Sequence, residues 1–268
     1  MNNRSLQLTQ NAINFTARFG FLTKEIFFEY LCHNRKTQQH LHWNSLFNNG
    51  YFYPSRRQQG LCHLTSRGKK LAQHQVAPNK SLYTLTHDLL AATILSELES
   101  TGLVRESWTE YELTRDPYKS CLILGVNRMD KLPDLVVDLK GQNKTLRVAI
   151  EVENTLKSKE RYQRIGSSYL NMKNINLVVY CCSSLTIQRS VNNAFSNTSF
   201  FKEQKSPIFF LAEGFKKEKF MTDAWLLSRK ILLKDMIIAA LEIEQKEWIQ
   251  KPEKNRNPFR ENDSKNID

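Results

Sequence analysis

The segment LPDLVVDLKGQNKTLRVAIEVE, residues 132–153, decides how this chain is read. Two apolar runs flank Gly141-Gln142-Asn143, whose glycine and amide residues mark a tight reversal between two strands. With an even loop centred near Gln142 and Asn143, residues facing one another across the hairpin sum to about 285. Asp134 and Glu151 meet that sum, which sets their Cβ atoms roughly 5 Å apart on neighbouring strands. Glu153, two residues on, shares the face of Glu151, while Val148, Ile150 and Val152 turn the other way.

Three carboxylates on one face repel one another unless a proton or cation neutralises them. Hard oxygen donors on a rigid hairpin suit Mg²⁺ or Mn²⁺, which can hold a phosphodiester and activate a water. Lys157, four residues past Glu153 and near the start of the next helix, is placed to meet a phosphate oxygen. The competing reading is a solvated sheet face whose acids pair with Lys157 and Lys159.

Around the hairpin, Thr86 can cap a helix over 87–100, on which His87, Leu90, Ile94 and Glu97 share a face. Strand-like stretches follow at 108–113 and 121–124. Beyond the hairpin come a helix over 158–173 and a buried-type strand over 175–182. This order predicts an α/β (α+β) domain with a mixed central sheet over 79–248. A strand over 207–215 and one or two helices over 222–248 close its core, and 249–268 reads as a disordered tail.

Upstream the charge changes character. The chain of 268 residues carries 39 basic and 27 acidic residues, net +12. Residues 1–80 hold eleven Lys and Arg against Glu25 and Glu29 alone, which is +9 of that excess. A polyanionic partner is implied for this part. Thr23 can cap a helix over 22–31 and Thr37 a second to about 48, with Leu41, Trp43, Leu46 and Phe47 as its large apolar residues. Tyr51-Phe52-Tyr53 and Leu61-Cys62-His63-Leu64 read as a hairpin with Arg56 and Arg57 at its tip, followed by a helix capped by Thr65-Ser66. Helix, turn, helix and basic hairpin make a winged helix-turn-helix over 1–78. In that reading Gln38, Gln39, His42 and Asn44 face base edges, and Arg56, Arg57, Arg67 and Lys69 face backbone phosphate or the minor groove.

The five cysteines fit no metal or disulfide spacing, and the histidines near them fit no zinc template. No apolar run approaches the ~20 residues that span a bilayer. The first thirty residues lack a secretory pattern, so a cytoplasmic location with no membrane partner is expected.

Pro133-Asp134 followed by Glu151-Val152-Glu153 resembles the signature of the PD-(D/E)xK nucleases, the restriction-endonuclease-like fold. The longer string Ala149 to Tyr162, AIEVENTLKSKERY, is more specific. With the basic module before it and His87 between, it resembles the MOB-C class of plasmid relaxases and the related replication-relaxation proteins. That resemblance covers roughly residues 10–185 and implies metal-dependent nicking of one DNA strand at a plasmid transfer origin during mobilisation or conjugation, in company with a relaxosome accessory protein and a coupling protein. It implies catalytic roles for Asp134, Glu151, Glu153 and Lys157, with Glu97 as the helical acid beside Asp134 and Glu151 as metal ligands. The family's usual lysine, two residues after its second acid, is replaced here by Glu153. Tyr162 is a candidate nucleophile, although Tyr162, Ile165, Tyr169 and Met172 form an apolar stripe that suits core packing and leaves activated water as the preferred nucleophile. His87 is expected to support the ligands from behind. A non-enzymatic DNA-binding accessory or regulator with an inactive nuclease fold is the alternative.

Overall fold

The computed structural model describes residues 3–32, 36–56, 58–78, 82–128, 131–141, 144–196, 207–226 and 229–241. Strands β5 (Leu135–Lys140) and β6 (Thr145–Glu153) form the expected antiparallel hairpin, and its partners run from Leu135↔Ile150 to Lys140↔Thr145. Every pair sums to 285. Gly141 N donates to Lys144 O across the turn, whose tip, Gln142-Asn143, lies outside the described residues.

The hairpin sits in a mixed seven-stranded sheet of order β10-β9-β8-β7-β6-β5-β4. β4 (Val104–Thr109) lies antiparallel to β5. β7 (Leu177–Cys182) is parallel to β6, and β8 (Ile208–Leu211) is parallel to β7. These parallel pairs need crossovers, supplied by α8 (Lys159–Asn171) and α9 (Leu185–Ser196). β9 (Asp223–Leu226) and β10 (Arg229–Leu232) complete the sheet antiparallel.

Alternation divides the core. Val137, Val148, Ile150 and Val179 pack with α5 (Leu82–Ser100) and α11 (Leu233–Leu241). Val136, Ala149, Tyr180 and Cys182 pack with Tyr162, Tyr169 and Phe195 of α8 and α9. A mixed sheet with helices on both faces is the α/β arrangement that the order of elements predicts.

The N-terminal part runs α1 (Asn3–Phe19), β1 (Leu22–Thr23), α2 (Lys24–Ile26) with a π-helical turn over Phe27–Leu31, α3 (Lys36–Asn48), β2 (Phe52–Pro54), β3 (Leu61–Leu64) and α4 (Ser66–Leu71). Its three strands pair in the order β1-β3-β2. Thr23 and Thr65 cap their helices as expected, accepting from Ile26 N and Gly68 N. Phe27, Trp43 and Leu46 fill the interior, while Leu41 of the same helix as Trp43 is 64% exposed. α1 itself has no counterpart in the sequence reading.

Several other elements correct that reading. Residues 121–124 are helical, within α7 (Pro117–Leu124). Asp116 accepts from Lys119 N, Pro117 occupies the first turn and left-handed Gly125 closes the end. Such caps outweigh a short apolar run. In the 108–113 stretch only 108–109 is strand, because Thr109 and Glu112 form a reciprocal cap that starts α6 (Glu110–Arg115). The strand expected over 207–215 stops at Leu211, where α10 (Ala212–Glu218) begins. Asp223–Leu226 and Arg229–Leu232, expected as helix, are a strand pair that completes the sheet edge. Everything after 241, including the expected tail, lies outside the described residues. No helix among the described residues is long and apolar enough to cross a membrane, and all five cysteines are free thiols.

Arg18, at the end of α1, joins the N-terminal part to the sheet. Its guanidinium donates to both Glu112 oxygens, at 2.9 and 3.1 Å, and to Ser107 O at 2.9 Å. Only 12% of its side chain and 16% of that of Glu112 are exposed, so loss of one partner strands the other in a poorly solvated place. Replacing Arg18 with Ala is expected to lower the unfolding free energy by about 3 kcal/mol, which urea denaturation would measure.

Candidate functional site

The side chains singled out by the hairpin meet where β5 begins and β6 ends. Asp134 precedes the first paired residue of β5, so the strand does not dictate its direction. Its Oδ2 accepts from Val152 N at 2.7 Å and lies 3.1 Å from His87 Nε2 of α5. The other ring nitrogen of His87 lies 3.2 Å from Asp88 Oδ1, so the imidazole is held between two carboxylates. Glu151, on the opposite strand, faces α8, where the Tyr169 hydroxyl donates to its Oε1. Its Oε2 lies 3.1 Å from Lys131 Nζ, which reaches in from the segment just before Asp134. Farther along β6, Glu153 pairs with Lys157.

Burial and mutual repulsion set the charges. Glu151 is 4% exposed, and burial together with the negative field of Asp134 pushes its carboxyl up to about 7, against the pull of Lys131 and Tyr169. Burial acts against the charge of Asp134 too, but His87, Lys131 and the Val152 amide outweigh it and hold that carboxylate below its ordinary value. Desolvation likewise opposes a charge on His87, yet hydrogen bonds and charge from Asp134 and Asp88 raise it to about 10. Glu151 and Asp134 therefore differ in proton affinity because burial and the field of Asp134 prevail at Glu151, whereas His87, Lys131 and the Val152 amide prevail over burial at Asp134. Tyr180, register partner of Glu151 on β7, brings a buried hydroxyl with no hydrogen-bond partner among the described residues. The fields of Glu151 and Glu153 add to burial in raising its pKa, which places it beside these acids.

Of the residues expected at the site, the structure gathers Asp134, Glu151 and His87, with Glu153 and Lys157 paired alongside. Glu97 does not join them. It lies ten residues beyond His87, about 15 Å of helix, and bonds to Tyr30 of the N-terminal part. Tyr162 is fully buried; its hydroxyl donates weakly to Thr155 O at 3.4 Å and accepts from Lys157 N at 3.1 Å. Burial pushes that phenol up to about 12, so it acts as a clamp on the loop carrying Lys157 rather than as a ready nucleophile. Lys131, Asp88, Tyr169 and Tyr180 were not read as site residues from the sequence. Among the described residues, no three His, Cys, Asp or Glu side chains form a ready-made metal cage.

On the basic module, Gln38, Asn44, Arg56, Arg67 and Lys69 are exposed and His42 is half-buried. Arg67 lies over the ring of Tyr51, 5.0 Å from its centroid. Gln39 is committed elsewhere: its amide donates to Phe28 O at 2.9 Å and Cys32 O at 2.7 Å, closing the end of the preceding helix. This removes it from the expected base-reading set. Arg57 lies outside the described residues.

The chain matches no known protein family, no curated protein and no solved structure.

The raised pKa of Glu151 has a sign that can be checked in metal-free protein. The folded state holds its proton up to about 7, whereas an ordinary glutamate releases it near 4.5. Stability contributed by this group therefore falls as pH rises from 4.5 to 7. Glu151→Gln is expected to remove that decline, seen as a smaller loss of Tm than in the wild type across the same window.

Proposed function

We propose that the protein binds DNA and nicks it with a divalent-metal-dependent phosphodiesterase site built on Asp134 and Glu151. The observation that carries this reading is the placement of buried Glu151 and the partly buried Asp134 at adjoining strand ends, close enough for the charge of one to raise the pKa of the other. The surrounding order supports it. α5 is followed by antiparallel β4, β5 and β6, then by α8 and a parallel β7, in keeping with the restriction-endonuclease-like fold that the motif resembles. In the N-terminal part, the order α1-β1-α2-α3-β2-β3 with a three-stranded β1-β3-β2 sheet favours a winged helix, and its +9 charge favours DNA.

Two hard carboxylates without a closed cage suit Mg²⁺ or Mn²⁺, which commonly keep several waters and take further oxygens from a substrate phosphate. Asp134 and Glu151 would hold the ion, which supplies charge neutralisation at the phosphate and a water of lowered pKa. The chain's own residues orient the site: His87 and Val152 N fix Asp134, and Tyr169 fixes Glu151. The buried, clamped hydroxyl of Tyr162 favours water as the nucleophile. Together with the resemblance, this reading proposes single-strand nicking at a plasmid transfer origin in the cytoplasm, with relaxosome partners.

A second reading is favoured by one observation. Asp134, Glu151 and Glu153 each contact a basic side chain, namely His87, Lys131 and Lys157. A site balanced in this way could be a scaffold in a DNA-binding regulator. Incubation with supercoiled plasmid and Mg²⁺ or Mn²⁺ separates the two. The nuclease reading expects open circles with the wild type and with Tyr162→Phe, and none with Asp134→Ala or Glu151→Ala. Binding without nicking in either metal would support the scaffold.

The basic module makes its own prediction. Arg56→Ala is expected to weaken binding similarly across sequences and to reduce the salt slope by about 1, as measured by fluorescence anisotropy at several salt concentrations.

A further inference from the structure

We infer that Lys131, and not Lys157, is the cation this site presents to a DNA phosphate; the inference rests on the nuclease reading and assigns the lysine role left open by Glu153. Lys131 is attached directly to the acid pair, with its ammonium 3.1 Å from Glu151 Oε2. The same ammonium donates to Leu132 O at 2.5 Å. A lysine has three donors, and these two contacts, the ones its ammonium makes among the described residues, leave a donor for a phosphate oxygen. Its side chain is 24% exposed, so Lys131 is partly open to solvent while its ammonium sits on the acid pair.

The short tether gives this placement rigidity. Only Leu132 and Pro133 separate Lys131 from Asp134, Leu132 packs against the α8-side core, and Pro133 is buried. Proline also restricts the residue before it to extended backbone, which limits the ways the ammonium can swing away. Lys157 is differently placed. It pairs with Glu153, and its backbone N–H donates to Tyr162, so its side chain and loop are both committed beside the acid pair rather than on it.

During hydrolysis the water oxygen bonds to phosphorus and the P–O bond to one sugar breaks. The water loses a proton to solvent, and the departing oxygen gains one. Negative charge builds on the non-bridging oxygens, where an ammonium already fixed by Glu151 can stabilise it with little reorganisation.

The test uses full-length protein as wild type, Lys131→Met, Lys131→Arg and Lys157→Met, with thermal unfolding to verify that each variant is folded. Nicking of supercoiled plasmid in Mg²⁺ or Mn²⁺ is one readout. The other, independent of turnover, is the salt dependence of binding to duplex DNA in EDTA. Lys131→Met is expected to slow nicking by about 100-fold or more and to reduce the salt slope by about 1. Lys131→Arg should keep the slope, and Lys157→Met should leave the slope unchanged and slow nicking less than Lys131→Met. Wild-type nicking and slope in Lys131→Met would overturn the inference, as would a loss confined to Lys157→Met. If the wild type nicks nothing, the nuclease reading fails, and the salt slope alone then decides whether Lys131 meets phosphate.

Discussion

Two carboxylates, Asp134 and Glu151, are brought to neighbouring strand ends by the register of one hairpin, and much of the surrounding structure answers the resulting repulsion. Like charges at this separation in a poorly solvated place cannot both remain ionised without help. Help comes from three directions. α5 brings His87, which Asp88 in turn supports; the segment before β5 brings Lys131; and α8 brings the Tyr169 hydroxyl. Remove the register and these contacts lose their common target. A one-residue slip would turn Glu151 toward the α5 side of the sheet, into the space of Ile150 and Val152.

This constraint was legible because it is local. Leu135 and its partner Ile150 lie in one continuous stretch of chain, and alternation plus a marked turn suffice to set which residues meet. The capped helices at Thr23 and Thr65 were legible on the same ground, since each signal lies within four residues of its effect. Where the reading failed, a short apolar run competed with caps or with distant pairing. α7 looked like a strand because Cys121 to Leu124 are apolar, yet Asp116, Pro117 and Gly125 define helix ends. β9 and β10 looked helical because their partners, β8 and one another, are tertiary facts that no local period records.

The site divides along the same line. Asp134 and Glu151 follow from hairpin spacing, and His87 from its position on a helix that must cover the sheet. Tyr169 illustrates what spacing cannot show. Its place in the stripe with Tyr162 and Ile165 is correct as packing, and both phenols are buried. Yet one hydroxyl reaches Glu151 and the other clamps the Lys157 loop, a division set by where each turn of α8 crosses β6. Glu97 failed for the complementary reason. Its helix face was read well, since Leu90, Ile94 and Glu97 are all buried, but the face is long enough to serve two neighbours. His87 meets the sheet end, and Glu97 meets Tyr30.

That second contact bears on how the two parts of the chain work together. Tyr30 with Glu97, and Arg18 with Glu112 and Ser107, fasten the N-terminal part to the helix and strand that carry or flank the acid pair. Between them a cavity of about 20 Å³, room for one water, is lined by Arg18, His87, Asp88 and Asp134. The apolar cluster is also continuous from Ile13 and Phe27 through Leu90 and Ile94 to Val137 and Ile150. A basic face joined by shared core cannot swing independently of the acids as one on a flexible linker would. If that face holds DNA, the distance along the duplex from bound site to reacting phosphate is fixed by the fold. Strand and position of a nick would then be properties of this rigid junction as much as of the carboxylates themselves.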